Sequence, residues 1–367
     1  MLKRYRLRNY DFKLIIMILA LSIIGIVAIG SAKESLQTKQ IFGVVAGFVL
    51  MITISFFDYN WVLKFYWLMY IFNLGLLLWV AFLGDAGGGA ERWLEIGSFR
   101  FQPSELAKII LILFFAQFIM VHKEKLNTFR NMILCITFAA VPVLLILKQP
   151  DLSTSIIVIA VFCIVMYIGG LSYKIILGVL AVVIPVAVIF LSLVLQPDQE
   201  LIEDYQRDRI LAFINPEEYA MEEAYQQNNS VIAIGSGQLS GKGYKNNEIS
   251  SVKNGNYILE PQTDFIFAVI GEEFGFQGSC VVVALLILIG IECLSVAAKA
   301  KDSAGRMIAA GMGSLVVIQG FFNIGVATFL LPNTGLPLPF VSYGLTSLMS
   351  LYIGMGFVLN VRLQYMR

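Results

Sequence analysis

Charge is scarce in this chain. Only 14% of its 367 residues are Asp, Glu, Lys or Arg, 58% are hydrophobic, and mean hydropathy is +0.79. That balance excludes an ordinary soluble domain. Histidine is nearly absent: His122 stands alone beside Lys123 and Lys125, so a histidine-based metal site is excluded. The four cysteines, Cys135, Cys163, Cys280 and Cys293, sit singly in apolar segments with no paired spacing. They read as small core hydrophobes rather than a disulfide framework or zinc site. Lys and Arg gather on no long amphipathic face, which removes nucleic acid from the partners.

What the chain has instead is apolar runs of membrane length. They are Leu14–Ser31, Ile41–Phe57, Val62–Leu83, Leu106–Val121, Met132–Leu147, Leu152–Ile168, Ile175–Leu195, Phe276–Ala298, Met307–Leu330 and Leu348–Val361. The expectation is an all-α, polytopic membrane protein of ten transmembrane helices, one integral domain over 1–367. The basic flank Lys3 to Lys13 before the first run resembles a signal peptide, but the run is too long for one and reads as an uncleaved span. With the N-terminus in the cytoplasm, the inner segments hold 15 Lys and Arg and the short outer loops hold 5, Lys33, Lys39, Arg92, Arg100 and Lys148. This asymmetry places both termini in the cytoplasm.

A large extracytoplasmic loop, 196–263, then separates the seventh and eighth spans, with 11 acidic and 5 basic residues. Its middle, Tyr205–Tyr225, suits an amphipathic helix. Gly235–Gly243 looks like a phosphate loop but fails the Walker pattern: Ser236 stands where the first glycine belongs and Gly243 where Ser or Thr must bind magnesium. The alternative is a flexible glycine-rich turn. The inner loops are too short for a nucleotide-binding domain, so ATP-driven transport by this chain alone is excluded.

Polar groups collect at the outer membrane face. Asp264 is the last carboxylate before the apolar run Phe265–Ile270, with Glu272 and Glu273 deeper. A carboxylate there is costly unless paired or used; equally, Thr263 or Asp264 could cap the following helix. In Gln102-Pro-Ser-Glu-Leu-Ala-Lys108, Ser104 can cap a helix with Pro103 outside its ladder, which sets Glu105 and Lys108 on one face at i and i+3. That pair is either a structural ion pair or a cation presented to an anionic ligand. Lys148-Gln-Pro-Asp151 is an outer turn in which Asp151 suits a helix cap. Leu331–Gly344, with three prolines, cannot form a regular span and is expected to shape one side of an outward-facing cleft. This inventory, without a nucleophile–histidine pair, suits acid/base chemistry on an anionic, membrane-tethered substrate.

Taken in order, Arg92-Trp-Leu, Phe101–Lys108, Gln149–Leu152, Ala233–Gly237, Gly241–Gly243, Thr263–Phe267 and Thr334–Gly344 resemble the signatures of the SEDS family (shape, elongation, division and sporulation) of bacterial membrane proteins. The likeness spans nearly the whole chain, and Asn9–Leu14 with the short tails is closer to the RodA-type elongation branch. Leu345, Gln238 and Ser153 replace glycines usual in the family. The resemblance implies a peptidoglycan glycosyltransferase of the bacterial cytoplasmic membrane that polymerises lipid II at the outer face during elongation and releases undecaprenyl pyrophosphate. It makes Asp264 catalytic together with Lys108 and Glu105, and it is expected that Arg92, Arg100, Gln102, Ser104, Asp151, Ser342 and Tyr343 bind substrate. It also implies partners: undecaprenyl-linked glycan, membrane lipid and a class B penicillin-binding protein. The substrate's pyrophosphate would suit a divalent cation, Mg2+ or Mn2+, although no acidic cluster with ligand spacing specifies one. A transporter or flippase of the lipid-linked precursor, and a non-catalytic scaffold, are the competing readings.

Overall fold

The computed structural model describes residues 10–83, 85–87, 90–96, 99–194, 196, 204–219, 224–245, 251 and 257–365. In chain order its elements are α1 (Phe12–Ala32), α2 (Glu34–Ser55), α3 (Tyr59–Leu63), α4 (Tyr66–Leu83), β1 (Asp85–Gly87), β2 (Ala90–Ile96), β3 (Phe99–Phe101), α5 (Pro103–Val121), α6 (Phe129–Lys148), α7 (Leu152–Ile168), α8 (Tyr173–Val194), α9 (Asp204–Ile214), α10 (Tyr225–Ser236), α11 (Ile266–Ala298), α12 (Ser303–Ala327) and α13 (Leu345–Leu363). Among the described residues, seven helices are long and apolar enough to cross a membrane: α1, α2, α5, α6, α11, α12 and α13. Two more, α4 and α7, are shorter apolar helices.

The helical expectation holds for most of the chain, with one exception. Residues 85–87, 90–96 and 99–101 form a small antiparallel sheet, β1-β2-β3, in which Ile96 pairs with Phe99 and Leu94 with Phe101. Two residues, Gly97 and Ser98, separate β2 from β3, a spacing and composition that favour a hairpin. The run Val62–Leu83 is also divided, between α3 and α4. The helix expected over 205–225 stops at Ile214, because Pro216 disfavours helical backbone at Asn215.

Close approach of small residues sets the packing. Gly43 and Gly47, one turn apart, let α2 lie along α13: a Cβ on Gly47 would fall 2.2 Å from the Tyr352 ring. Within α6, Pro142 has no N–H to give Phe138, and the Tyr70 hydroxyl donates to that carbonyl instead, at 3.0 Å. Large side chains such as Phe42, Leu68 and Leu144 stand exposed on the outside of the bundle, as lipid-facing positions do.

Helix α11 is interrupted by a break. Gly275 has φ 63° and ψ −160°, so residues 266–274 and 276–298 are separate helical segments. A break leaves carbonyls without donors on one side and N–H groups without acceptors on the other. The 237–243 stretch satisfies both. Lys242 and Gly243 N–H donate to the Glu272 and Glu273 carbonyls at 2.9 and 3.0 Å, and Phe276 and Gln277 N–H donate to the Gln238 and Leu239 carbonyls at 2.8 and 3.2 Å. Glycine is required for this fit: Gly241 has φ 82°, and a Cβ there would lie 2.1 Å from the Glu273 carbonyl oxygen. The glycine-rich segment is therefore neither a phosphate loop nor a loose turn but a backbone splint. Glu272 beside it is buried, with Lys242 Nζ at 3.1 Å and the Ser251 hydroxyl at 3.2 Å.

Candidate functional site

Of the sequence-predicted residues, Gln102, Ser104, Glu105, Asp151, Asp264, Ser342 and Tyr343 lie at the starts of α5, α7, α11 and α13 or just ahead of them. Helix α5 starts at Pro103, a residue suited to a first turn whose N–H groups have no helical partner. Gln102, not Ser104, occupies the capping position, and it offers no side-chain cap. Ser104 is buried instead, its hydroxyl without a hydrogen-bond partner among the described residues. One turn on, Lys108 Nζ lies 2.8 Å from Glu105 Oε1, both side chains 3% exposed. A buried charge this poor in solvent needs its partner. The same ammonium donates to Gln319 Oε1 at 2.9 Å. Two of its three N–H bonds are thereby used among the described residues, and Glu105 Oε2 is likewise buried without a partner.

Asp264 sits in a turn, 261–265, just ahead of α11, whose capping position is Phe265. Phe265 offers no side-chain cap; the Thr263 hydroxyl donates to the Glu260 carbonyl, and the Asp264 carbonyl accepts from Asn323 Nδ2 at 2.7 Å. The Asp264 side chain is half-buried and faces the proline-rich segment at Gly335. Gly335 has φ 67°, and a Cβ on it would stand 3.4 Å from Asp264 Oδ2.

That proline-rich segment, 328–344, has no ladder to satisfy its carbonyls, and neighbouring side chains do so. Ser153 donates to Thr334, Asn323 to Leu336, Gln319 to Pro337 and Gln227 to Leu331, at 2.6, 2.7, 2.9 and 2.9 Å. Ser342 is part of the same scaffold: its hydroxyl accepts from Leu338 N–H and donates to the Thr263 carbonyl, and Tyr343 N–H donates to the Gln262 carbonyl. On its other side the segment borders a largely apolar groove of about 410 Å3, with Arg209, Phe213, Leu152 and Phe322 among its lining.

Asp151 caps α7 as expected, accepting from Thr154 N–H at 3.1 Å, and its second oxygen accepts from Gln102 Nε2 at 3.4 Å. Arg100 is exposed on β3, where its carbonyl receives the Thr346 hydroxyl. Arg92 falls on β2, and its side chain lies outside the described residues. Among the described residues no group of three or more His, Cys, Asp or Glu gathers.

Sequence reading missed Gln319 and Asn323, buried amides on α12. Two amides four residues apart inside an apolar run are the signal that could have found them.

Similarity to known proteins agrees with this geometry. The chain is 34% identical over 357 residues to the peptidoglycan glycosyltransferase MrdB of Escherichia coli K12, covering 96% of this chain and 93% of that protein. It is 33% identical over 372 residues to a probable peptidoglycan glycosyltransferase FtsW of Geobacter metallireducens, covering 97% and 95%. Among solved structures, a chain from a peptidoglycan synthase complex that coordinates polymerization and crosslinking aligns with TM-score 0.78 and 26% identity, covering 96% and 97%. The rod shape determining protein RodA of Thermus thermophilus aligns with TM-score 0.71 and 25% identity, covering 98% of each chain. The apolar helices and these relatives make the chain a multi-pass membrane protein. With residues 8–366 matching the cell cycle proteins of FtsW, RodA and SpoVE type, the chain belongs to that family.

Proposed function

We propose that this chain is a peptidoglycan glycosyltransferase of the elongation branch, polymerising lipid II at the outer face of the bacterial cytoplasmic membrane. The observation that carries this reading is the pairing of a half-buried aspartate with a buried lysine at one end of the bundle, joined through α12. The topology is ten passes in one integral domain, counting α4, α7 and α8 with the seven membrane-length helices named above, with both termini inside and the 196–263 loop outside. The basic-residue asymmetry supports that orientation, and puts the site outside.

In the reaction, the acceptor sugar's 4-hydroxyl oxygen bonds to the donor's anomeric carbon as the bond from that carbon to the pyrophosphate oxygen breaks, inverting the centre. Asp264 takes the hydroxyl proton; general-base help of this kind is worth roughly 10²–10⁴-fold. Lys108, held by Glu105, turns its remaining N–H to the negative charge that builds on the leaving pyrophosphate. Arg92 and Arg100 add positive charge, and Gln102, Ser104, Asp151, Ser342 and Tyr343 shape and line the substrate site. The apolar groove suits an isoprenoid chain. No step needs a protein-held cation. A class B penicillin-binding protein is the partner that crosslinks the product, a reading supported by the likeness to a chain of a synthase complex.

The test is Asp264→Asn in liposomes loaded with lipid II. Loss of glycan polymer with retained folding is expected. Unchanged polymer would remove Asp264 from the chemistry, and lipid II translocation without polymer would favour a flippase.

A further inference from the structure

Gln319 and Asn323 lie one turn apart on α12, so they share a face, and both are buried. Their orientations follow from their partners. A lysine ammonium only donates, so Gln319 must turn Oε1 to Lys108, which aims Nε2 at the Pro337 carbonyl. Carbonyls only accept, so Asn323 must turn Nδ2 to Asp264 and Leu336, each at 2.7 Å. All three of these carbonyls belong to irregular backbone, where no helix fixes their place.

One rigid helix therefore grips three separate parts of the site. Four residues of helix set the two amides about 6 Å apart along the axis. The Lys108 ammonium is registered to the proline-rich segment through Gln319. The Asp264 turn is registered to the neighbouring residue of that segment through Asn323. Simple packing would not require polar groups at either position, since apolar side chains fill a helix interface without the cost of burying an amide.

We propose that Gln319 and Asn323 are positioning residues for the transfer, fixing the lysine that faces the leaving group against the aspartate that takes the proton. The inference rests on the glycosyltransferase reading above. Each acts through another residue: Gln319 through Lys108, and Asn323 through the backbone of Asp264.

The test measures initial rate against lipid II concentration for the full-length chain in liposomes, beside thermal melting, for Gln319→Leu, Gln319→Glu, Asn323→Ala and Asn323→Ser. Gln319→Leu and Asn323→Ala should lower kcat roughly 100-fold, the scale of a small misplacement, with KM within about threefold. Gln319→Glu keeps an acceptor for Lys108, and Asn323→Ser keeps one donor, so each should recover about tenfold of that loss. Melting as in the unsubstituted chain with kcat within about threefold of it would overturn the proposal. So would rates that fall only in proportion to lost folded protein, with the conservative variants no better than the apolar ones. Should the apolar variants fail to fold, the conservative pair decides: folded protein with lowered kcat and unmoved KM supports positioning, and unchanged kcat overturns it. Asp264→Asn runs alongside. If it is inactive while the α12 variants are fully active, only this inference falls; if it still makes polymer, Asp264 leaves the chemistry, and if the unsubstituted chain makes none, the glycosyltransferase reading falls instead.

Discussion

The two ends of the bundle both carry buried polar networks, and they are built to opposite purposes. At the end away from the site, side chains close on one another. Gln364 Nε2 donates to Asp58 and Asn360, Asn360 Nδ2 to the Ser55 carbonyl, and the Tyr59 hydroxyl to Asp302, all between 2.7 and 2.9 Å. These contacts tie α2, α3, α12 and α13 together. At the site end, Lys108, Glu105 and Ser104 are as deeply buried, yet each keeps a donor or acceptor that the described residues do not use. A buried polar group left that way is costly. A network that satisfies itself holds a fold; one that leaves buried groups waiting is ready for a ligand.

This contrast can be broken most sharply at Lys108. Changing Lys108→Met and Glu105→Gln together removes both buried charges without leaving one alone. Exchanging a buried pair for uncharged groups is often near neutral for stability, within about 1–4 kcal/mol on the favourable side. Melting should therefore hold while polymer formation falls by about 10²–10³-fold, the usual scale for a lost charge stabiliser. Retained activity would make the pair structural, like the network at the other end.

The next effect belongs to the splint. Gly241→Val forces a branched side chain into φ 82° and against the Glu273 carbonyl. Backbone strain alone should cost about 1–3 kcal/mol, read as a fall in melting temperature. Gly335→Ala is milder: its φ of 67° costs about 1–2 kcal/mol. Turnover should fall as well, because the new methyl group touches the space beside Asp264. The smallest change is at the far end, where Tyr59→Phe leaves Asp302 without its hydroxyl donor. It should lower stability by about 0.5–1.5 kcal/mol and leave polymerisation per folded molecule unchanged.

How far the sequence could be read depended on whether the relevant partner was near in the chain. Glu105 and Lys108 were visible because helical spacing alone puts them together, and Asp151 because a cap bonds three residues on. Asp264 stood out as a carboxylate at the edge of an apolar run. Gln319 and Asn323 did not, since only the packing of α12 against the proline-rich segment gives those amides their meaning. The glycine-rich 235–243 stretch was misread for the same reason: its glycines answer to the backbone of residues 271–275, which lies more than 30 positions away. The pairing of β2 with β3 is different: its Ile-Gly-Ser-Phe signal is local in the chain, set between long apolar runs.

The break at Gly275 also makes the chain readable by isotope exchange. The amide protons of Lys242, Gly243, Phe276 and Gln277 are shielded by bonds running between two distant segments, not along a single spiral. Those four should take up deuterium together whenever the segments part, at a rate set by that opening rather than by unravelling of the membrane-embedded shaft beyond. Two short peptides, one from each side of the joint, would report how firmly the 237–243 segment is seated.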